Sequence, residues 1–282
     1  MATVAAEFAP STCSGRFPQL FAQFLSDCPS YDPESLRKLR AVDPASRIPM
    51  RTANELALDQ VQKTGERDLG LKVASIVPLG APGAVDYAMH TAATLREATD
   101  VGGRYARLFS DPFTMRVEAR GSRAIIRVEH SEPVARVVSD FAMSVWFANH
   151  ARAVLRDAPG VECWFSHPRP EKTAEYERTF APHALRFGAP CTGVSIDREY
   201  LDAPLPGADP ALHLLLCEHA SVLLTQLSSR LPVTGRVREL MMKELIHGSP
   251  TIVTIARELH MSARTLSRRL EHEGTNFSEL LD

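Results

Sequence analysis

TIVTIARELHMSARTLSRRLEHEGTNF, running from Thr251 to Phe277, is the stretch whose reading decides how the last part of this chain folds. Thr251 is a good helix N-cap, because its hydroxyl can accept from a free first-turn N–H. Ile252, Ile255, Ala256 and Leu259 then recur at spacings that place them on one helix face. His260-Met261-Ser262 is read as a tight turn, with Met261 as its apolar plug and Ser262 capping a further helix over 262–272. The turn demands a left-handed backbone at His260, a conformation that favours glycine. In the last helix Leu266 and Leu270 lie four apart, one turn above the other.

At about 100° per residue, Arg264, Ser267 and Arg268 fall within one arc, and Leu266 and Leu270 lie on the opposite side. Such a helix turns its arginines away from the core. On periodicity alone it is either a solvated amphipathic helix or one built for the major groove of double-stranded DNA. That groove admits a single helix and displays acceptors that arginine grips in a bidentate way. In the second reading Arg264 and Arg268 suit guanine edges and Ser267 donates or accepts. Ser262 and Thr265, at the helix N-terminus, suit phosphate oxygens.

Upstream, Arg236 to His247 reads as a helix with Val237, Leu240, Met241 and Leu245 on one side, stopped by Gly248 and Pro250. Leu231 to Gly235 is the expected linker. It separates a helix-turn-helix unit at 235–282 from a first domain at 17–230. That first domain opens with helical spacing at Phe17, Leu20, Phe21, Phe24 and Leu25, restarts at Asp32-Pro33, and continues helically over Met50 to Lys63. Leu56, Leu58 and Val61 are candidate core positions there, and Gly65 supplies the stop. Asp86 to Phe109 is expected to be helical with an interruption at Gly102-Gly103.

The period then changes to two. Met115 and Val117 alternate with Arg116 and Glu118, and Ile126 and Val128 follow the turn signal Gly121-Ser122. A two-residue turn there sets Val117 against Ile126 and Met115 against Val128, with Glu118 diagonal to Arg127. A long helix over Val134 to Asp157, strand-like residues at Val161 to Phe165, a helix over Pro170 to Phe180, short strands at Phe187 and Val194 to Ile196, and a helix over Ala211 to Arg230 complete the expectation. The whole is an α+β domain, helices packed on a small mixed or antiparallel sheet, followed by an all-α unit.

Composition narrows the function. A net charge of −2 over 282 residues argues against a protein coated in positive charge, yet a local basic helix still contacts DNA from a neutral chain. No apolar run is long enough for a membrane span, and no basic start precedes an apolar block, so a cytoplasmic protein is expected. Cys13, Cys28, Cys163, Cys191 and Cys217 form an odd, scattered set, read as free thiols. Cys217-Glu218-His219 lies on one helix with side chains pointing apart, the ten histidines show no metal spacing, and Gly102-Gly103 alone is no phosphate loop. No metal, no cofactor and no enzymatic role is expected. Trp146, Trp164, Phe165, Tyr176 and Phe180 are read either as ordinary core or as the lining of a ligand pocket, with His167 and Arg169 beside them as candidates for contacting a carboxylate.

The stretch Thr251 to Asp282, above all Met261-Ser262-x-Arg264-Thr265-Leu266-x-Arg268-Arg269-Leu270 followed by Gly274-Thr275-x-Phe277, resembles the first helix-turn-helix of the AraC-type bacterial regulators. Phe165-Ser-His-Pro-x-Pro170, Tyr176, Phe187-Gly-Ala-Pro190 and Leu205 to Ala211 resemble the arabinose-binding-like effector domain of one subgroup. The resemblance implies transcription regulation, an unidentified small-molecule effector and dimerisation through the 17–230 domain, possible as a homodimer. Regulators of this type carry two helix-turn-helix units, and the second is expected to be missing after Asp282. By that reckoning the chain binds DNA weakly or only as a dimer. The competing reading is an interaction module that dimerises with full-length regulators without holding DNA tightly itself.

Overall fold

Strand β1 (Thr12–Ser14) leads directly into α1 (Arg16–Ser26), and α2 (Pro33–Arg40) follows, its N-terminus capped by Asp32, which accepts from the N–H groups of Glu34 and Ser35. The computed structural model describes residues 11–27, 32–229, 232–244 and 249–281, and these fall into two compact units, one up to Ser221 and one from Val222 onward. Cys28, Arg230, Leu231, Leu245 and Gly248, all invoked above, lie outside the described residues. β2 (Arg47–Pro49) pairs antiparallel with β1, a short ribbon that hydrophobic patterning gave no reason to expect.

Helix α3 (Met50–Thr64) ends at Gly65, whose φ of 69° supplies the left-handed stop. Its buried positions are Met50, Ala57 and Gln60, with Leu56 and Val61 packed at the edge of the core. Leu58, expected inside, is 52% exposed. The core stripe runs through Ala57, and the next residue along points about 100° away from it. Next come α4 (Leu69–Ala74), α5 (Ala84–His90) and α6 (Leu95–Arg104). Contrary to expectation, Gly102-Gly103 do not interrupt a helix. The break falls at 91–94, where Thr94 caps α6 by accepting from Glu97 N–H, and both glycines lie within the helix. Their smallness serves close packing: a Cβ on Gly103 would stand 2.3 Å from the Met115 carbonyl oxygen.

That carbonyl belongs to β3 (Phe113–Arg120), which forms a hairpin with β4 (Arg123–His130) around Gly121-Ser122. The register is the one the alternation requires: Met115 faces Val128 and Val117 faces Ile126. Arg127 donates to Glu118 at 3.2 Å across the diagonal. The expected long helix is two pieces, α7 (Arg136–Trp146) and α8 (Arg152–Leu155), joined by a π-helical turn over Phe147–Ala151. β5 (Glu162–Phe165), α9 (Ala174–Phe180), β6 (Ala184–Phe187), β7 (Gly193–Asp197) and α10 (Pro210–Ser229) follow. α9 starts four residues later than the Pro170 signal implied; no side chain caps its start.

The sheet is mixed, in the order β3-β4-β7-β5-β6, with β5 and β6 parallel and the other pairs antiparallel. Leu20, Phe21, Leu25, Val73, Val137 and Phe141 form the heart of the helical core beside it. This is the α+β arrangement expected from the change of period.

The second unit contains α11 (Val233–Glu244), α12 (Ile252–Glu258), α13 (Ala263–His272) and α14 (Phe277–Leu281). Val233, Thr234 and Gly235, read as linker, are helical instead. The carboxylate of Glu273 accepts from the N–H groups of Val233 and Thr234, both at 2.8 Å, and so starts the helix early. That contact links residues forty apart, which local sequence signals do not reveal. Burial works against the charged Glu273, but those hydrogen bonds win and its pKa is lowered.

Gly103→Ala should lower the melting temperature, by roughly 1–3 kcal/mol of stability, because the added methyl group meets backbone that cannot step aside. Gly65→Asn should cost far less, since nothing lies within 4 Å of a Cβ there and asparagine tolerates the left-handed region. Thermal denaturation of the two variants checks the contrast.

Candidate functional site

Thr251 caps α12 through a reciprocal pair: its hydroxyl accepts from Thr254 N–H at 3.2 Å, and Thr254 Oγ1 accepts from Thr251 N–H at 3.1 Å. The helix ends in a left-handed residue, His260, with φ 55°. His260 N–H donates to the Arg257 carbonyl at 3.0 Å and Met261 N–H to the Ala256 carbonyl at 2.9 Å, the double closure that glycine usually permits at a helix end. The conformation inferred for His260 from its place in the turn is thus adopted, at the strain cost of a side chain in the left-handed region. Ser262 then opens α13, its hydroxyl accepting from Thr265 N–H at 3.1 Å.

Leu266 and Leu270 are fully buried, together with Val237, Met241, Ile255 and Ala256. Met261, Phe277 and Leu280 pack at the edge of the same cluster. The opposite face of α13 carries Arg264 and Arg268, both exposed, with Ser267 half-buried between them. Among the described residues no ion pair or hydrogen bond engages either guanidinium. Thr265 is half-buried, and its hydroxyl lies 2.8 Å from that of exposed Ser262. Two hydroxyl groups share one hydrogen bond, so one O–H of the pair stays free. All five residues singled out from the sequence therefore sit on one helix, at its N-terminal half and outer face.

The first unit holds a second feature that sequence patterning missed. A cavity of about 100 Å³ lies among α1, α3, α5, α7, the hairpin and the π-helical turn. Phe17, Phe21, Met89, Met115, Phe141 and Trp146 are among its walls, and Asp86, Ser110, His130 and His150 are its polar members. Asp86, 2% exposed, accepts from His150 Nε2 at 2.8 Å, from Gly80 N–H at 2.7 Å and from Asn149 at 3.3 Å. His130 is neutral, because burial pushes its pKa down to about 4. Burial likewise pushes Cys13, in the same wall, up to about 11, so it remains a thiol rather than a nucleophilic thiolate.

Of the aromatic residues weighed as a pocket lining, only Trp146 borders this cavity. Phe165, Tyr176 and Phe180 are fully buried against one another, their rings 5.0 and 5.3 Å from Phe165. Trp164 lies under the Arg186 guanidinium. His167 is not free for a carboxylate ligand, for it already stands 2.9 Å from Asp140, which also accepts from Tyr176 at 2.5 Å. Burial opposes charging of His167, but the hydrogen bond and proximity to Asp140 outweigh it, and its pKa is raised. Arg169 stacks on Phe187. Cys13, Cys163 and Cys191 are buried free thiols, and Cys217, half-buried, lies 3.5 Å from His213 Nε2. Among the described residues no group of three or more His, Cys, Asp or Glu is placed to hold a metal ion, and no helix is long and apolar enough to cross a membrane.

Residues 36–205 match the family described as the arabinose-binding domain of AraC transcription regulator, N-terminal, and the chain belongs to that family of bacterial transcription regulators with an effector-binding domain. It is similar to the ornithine utilization regulator of Pseudomonas aeruginosa, 27% identical over 282 residues that cover 98% of this chain and 82% of that one. The HTH-type transcriptional regulator VirS of Mycobacterium tuberculosis is 28% identical over 222 residues, 76% of this chain and 64% of its own length. The crystal structure of the transcriptional regulator CdpR from Pseudomonas aeruginosa overlays with a TM-score of 0.50 at 19% identity, covering 94% of this chain and 81% of that chain, a likeness of fold.

Replacing His260 with valine should destabilise the second unit by about 1–2 kcal/mol, since a β-branched side chain tolerates the left-handed backbone poorly. Replacing it with glycine should leave stability unchanged or slightly raised. Chemical denaturation followed by circular dichroism measures both.

Proposed function

We propose that this chain regulates transcription by laying α13 in the major groove of double-stranded DNA, under the control of a small molecule bound in the first unit. One observation carries the reading: Arg264 and Arg268 stand exposed and unpaired on a helix whose rear leucines, Leu266 and Leu270, are fully buried. A helix anchored from behind holds those guanidinium groups steady, as a reading helix must, because base contacts tolerate little play.

The roles divide by position. Arg264 and Arg268, one turn apart, reach for guanine N7 and O6. Ser267 lies between them and exchanges hydrogen bonds with either kind of base edge. Ser262 and Thr265 hold a phosphate oxygen at the helix N-terminus, where the spare hydroxyl proton and the helix dipole act together. The protein is a cytoplasmic regulator with no catalytic residues in this reading.

Dimerisation fits the same picture. Leu212 and Leu215, three residues apart on one face of α10, are 43% and 62% exposed, an apolar face that a second copy would cover. Leu215→Glu should shift the chain toward monomer in analytical ultracentrifugation. An unchanged sedimentation coefficient across concentrations would remove α10 from the contact.

Arg264→Ala and Arg268→Ala should each weaken binding to the preferred DNA site by about 1–3 kcal/mol, roughly 5-fold to 150-fold, and relax selectivity at one base pair. Non-specific binding should change far less, and the helical circular dichroism signal should be unaltered. Selection from a random DNA pool followed by fluorescence anisotropy at fixed salt tests this. Equal affinity of the parent and the double variant for the selected site would refute the reading.

A further inference from the structure

The cavity in the first unit has a chemistry of its own. Among the described residues no lysine, arginine or glutamate lines it, and its one aspartate is already engaged by three donors. Apart from Cys13, Ser110, His130 and His150, the rest of the wall is aromatic rings, methionines and aliphatic side chains. Among the described residues three polar atoms carried by lining residues have no partner, Ser110 Oγ, Trp146 Nε1 and His150 Nδ1, but they are shut off by packed side chains and do not face the open space. These residues are 3%, 3% and 4% exposed, so water from outside does not reach them freely. His150 Nδ1 is the far side of a ring whose Nε2 is committed to Asp86. The neutral ring of His130 adds one donor and one acceptor, and among the described residues none hydrogen-bonds to it.

The surface that this space offers is therefore almost wholly apolar, with His130 as its uncommitted polar group. A sugar entering this space would bring four or five hydroxyl groups and find partners for few of them. An amino acid would bring two full charges and find no counter-charge. A ligand with a mostly apolar body and one polar end meets both conditions: its body covers the rings, and its end hydrogen-bonds the ring of His130.

The geometry points to an uncharged, mainly apolar small molecule with a single hydroxyl or carbonyl group as the ligand of this cavity, rather than a sugar or an amino acid. Its size follows from the volume. A cavity of about 150 Å³ with an apolar lining takes up benzene, so about 100 Å³ holds nothing larger than a single ring or a short chain. The inference rests on reading this unit as the effector-binding part of a regulator, but the binding itself is measurable without DNA.

Phenol and 1-hexanol serve as probes on the full chain, with L-arabinose, L-ornithine and sodium hexanoate as comparators. Phenol or 1-hexanol should raise the melting temperature by several degrees and alter tryptophan fluorescence, with at least tenfold higher affinity than any comparator. His130→Leu should reduce phenol affinity about threefold to tenfold while leaving toluene binding unchanged, a split that loss of packing alone would not produce. Ala142→Leu, which fills the cavity from one wall, should abolish the phenol shift; Ala53→Leu does so from the other side if the first variant fails to fold. No shift with either neutral probe, a stronger shift with arabinose, ornithine or hexanoate, or a phenol shift that survives both filling variants overturns the assignment. Phenol binding without any change in DNA affinity leaves the ligand class standing and counts instead against effector control.

Discussion

The hydrogen bond from Met261 N–H to the Ala256 carbonyl, 2.9 Å long, reverses the chain between α12 and α13, and it forms only because His260 accepts a left-handed backbone. Everything proposed for the second unit depends on that reversal. It brings Leu266 and Leu270 against Ile255 and Ala256, and it thereby turns Arg264 and Arg268 outward. The small core is closed from another direction by Glu273. This residue ends α13 and also starts α11 through two backbone N–H groups. One carboxylate so couples the presenting helix to the helix that supports it.

The first unit meets a different constraint, which is how to keep polar groups inside an apolar interior. Asp86 does so by collecting donors from a turn, an amide and an imidazole. The imidazole is brought there by the π-helical turn after α7, an interruption of regular helix of the kind that often marks functional sites. Asp140 solves the same problem with His167, Tyr176 and the nearby Arg136. The contrast separates a polar cluster that completes a core from one that borders a cavity with groups still unpaired.

Membership of a family named for arabinose binding does not carry the sugar with it. The fold positions a chamber, and side chains decide what enters. Here the walls come from seven separate stretches of chain, so small substitutions in any of them alter ligand chemistry without disturbing the sheet.

Several features were legible from residue order alone, because they rest on short-range physics. The hairpin register follows from strict alternation around Gly121-Ser122, and the faces of α13 follow from the 3.6-residue period, as do the caps at Thr251 and Ser262. The left-handed backbone at His260 was likewise implied by its place in the turn. Tertiary structure alone decided the rest. Leu58 faces outward, Gly103 lies within a helix beneath a strand, and Val233 to Gly235 are helical under a carboxylate forty residues away. Asp86 meets His150 across sixty-four residues, and the cavity beside them exists only where distant helices fail to close. Periodicity encodes which side of an element is apolar; it does not encode which distant element arrives to cover it, or where the covering leaves a gap.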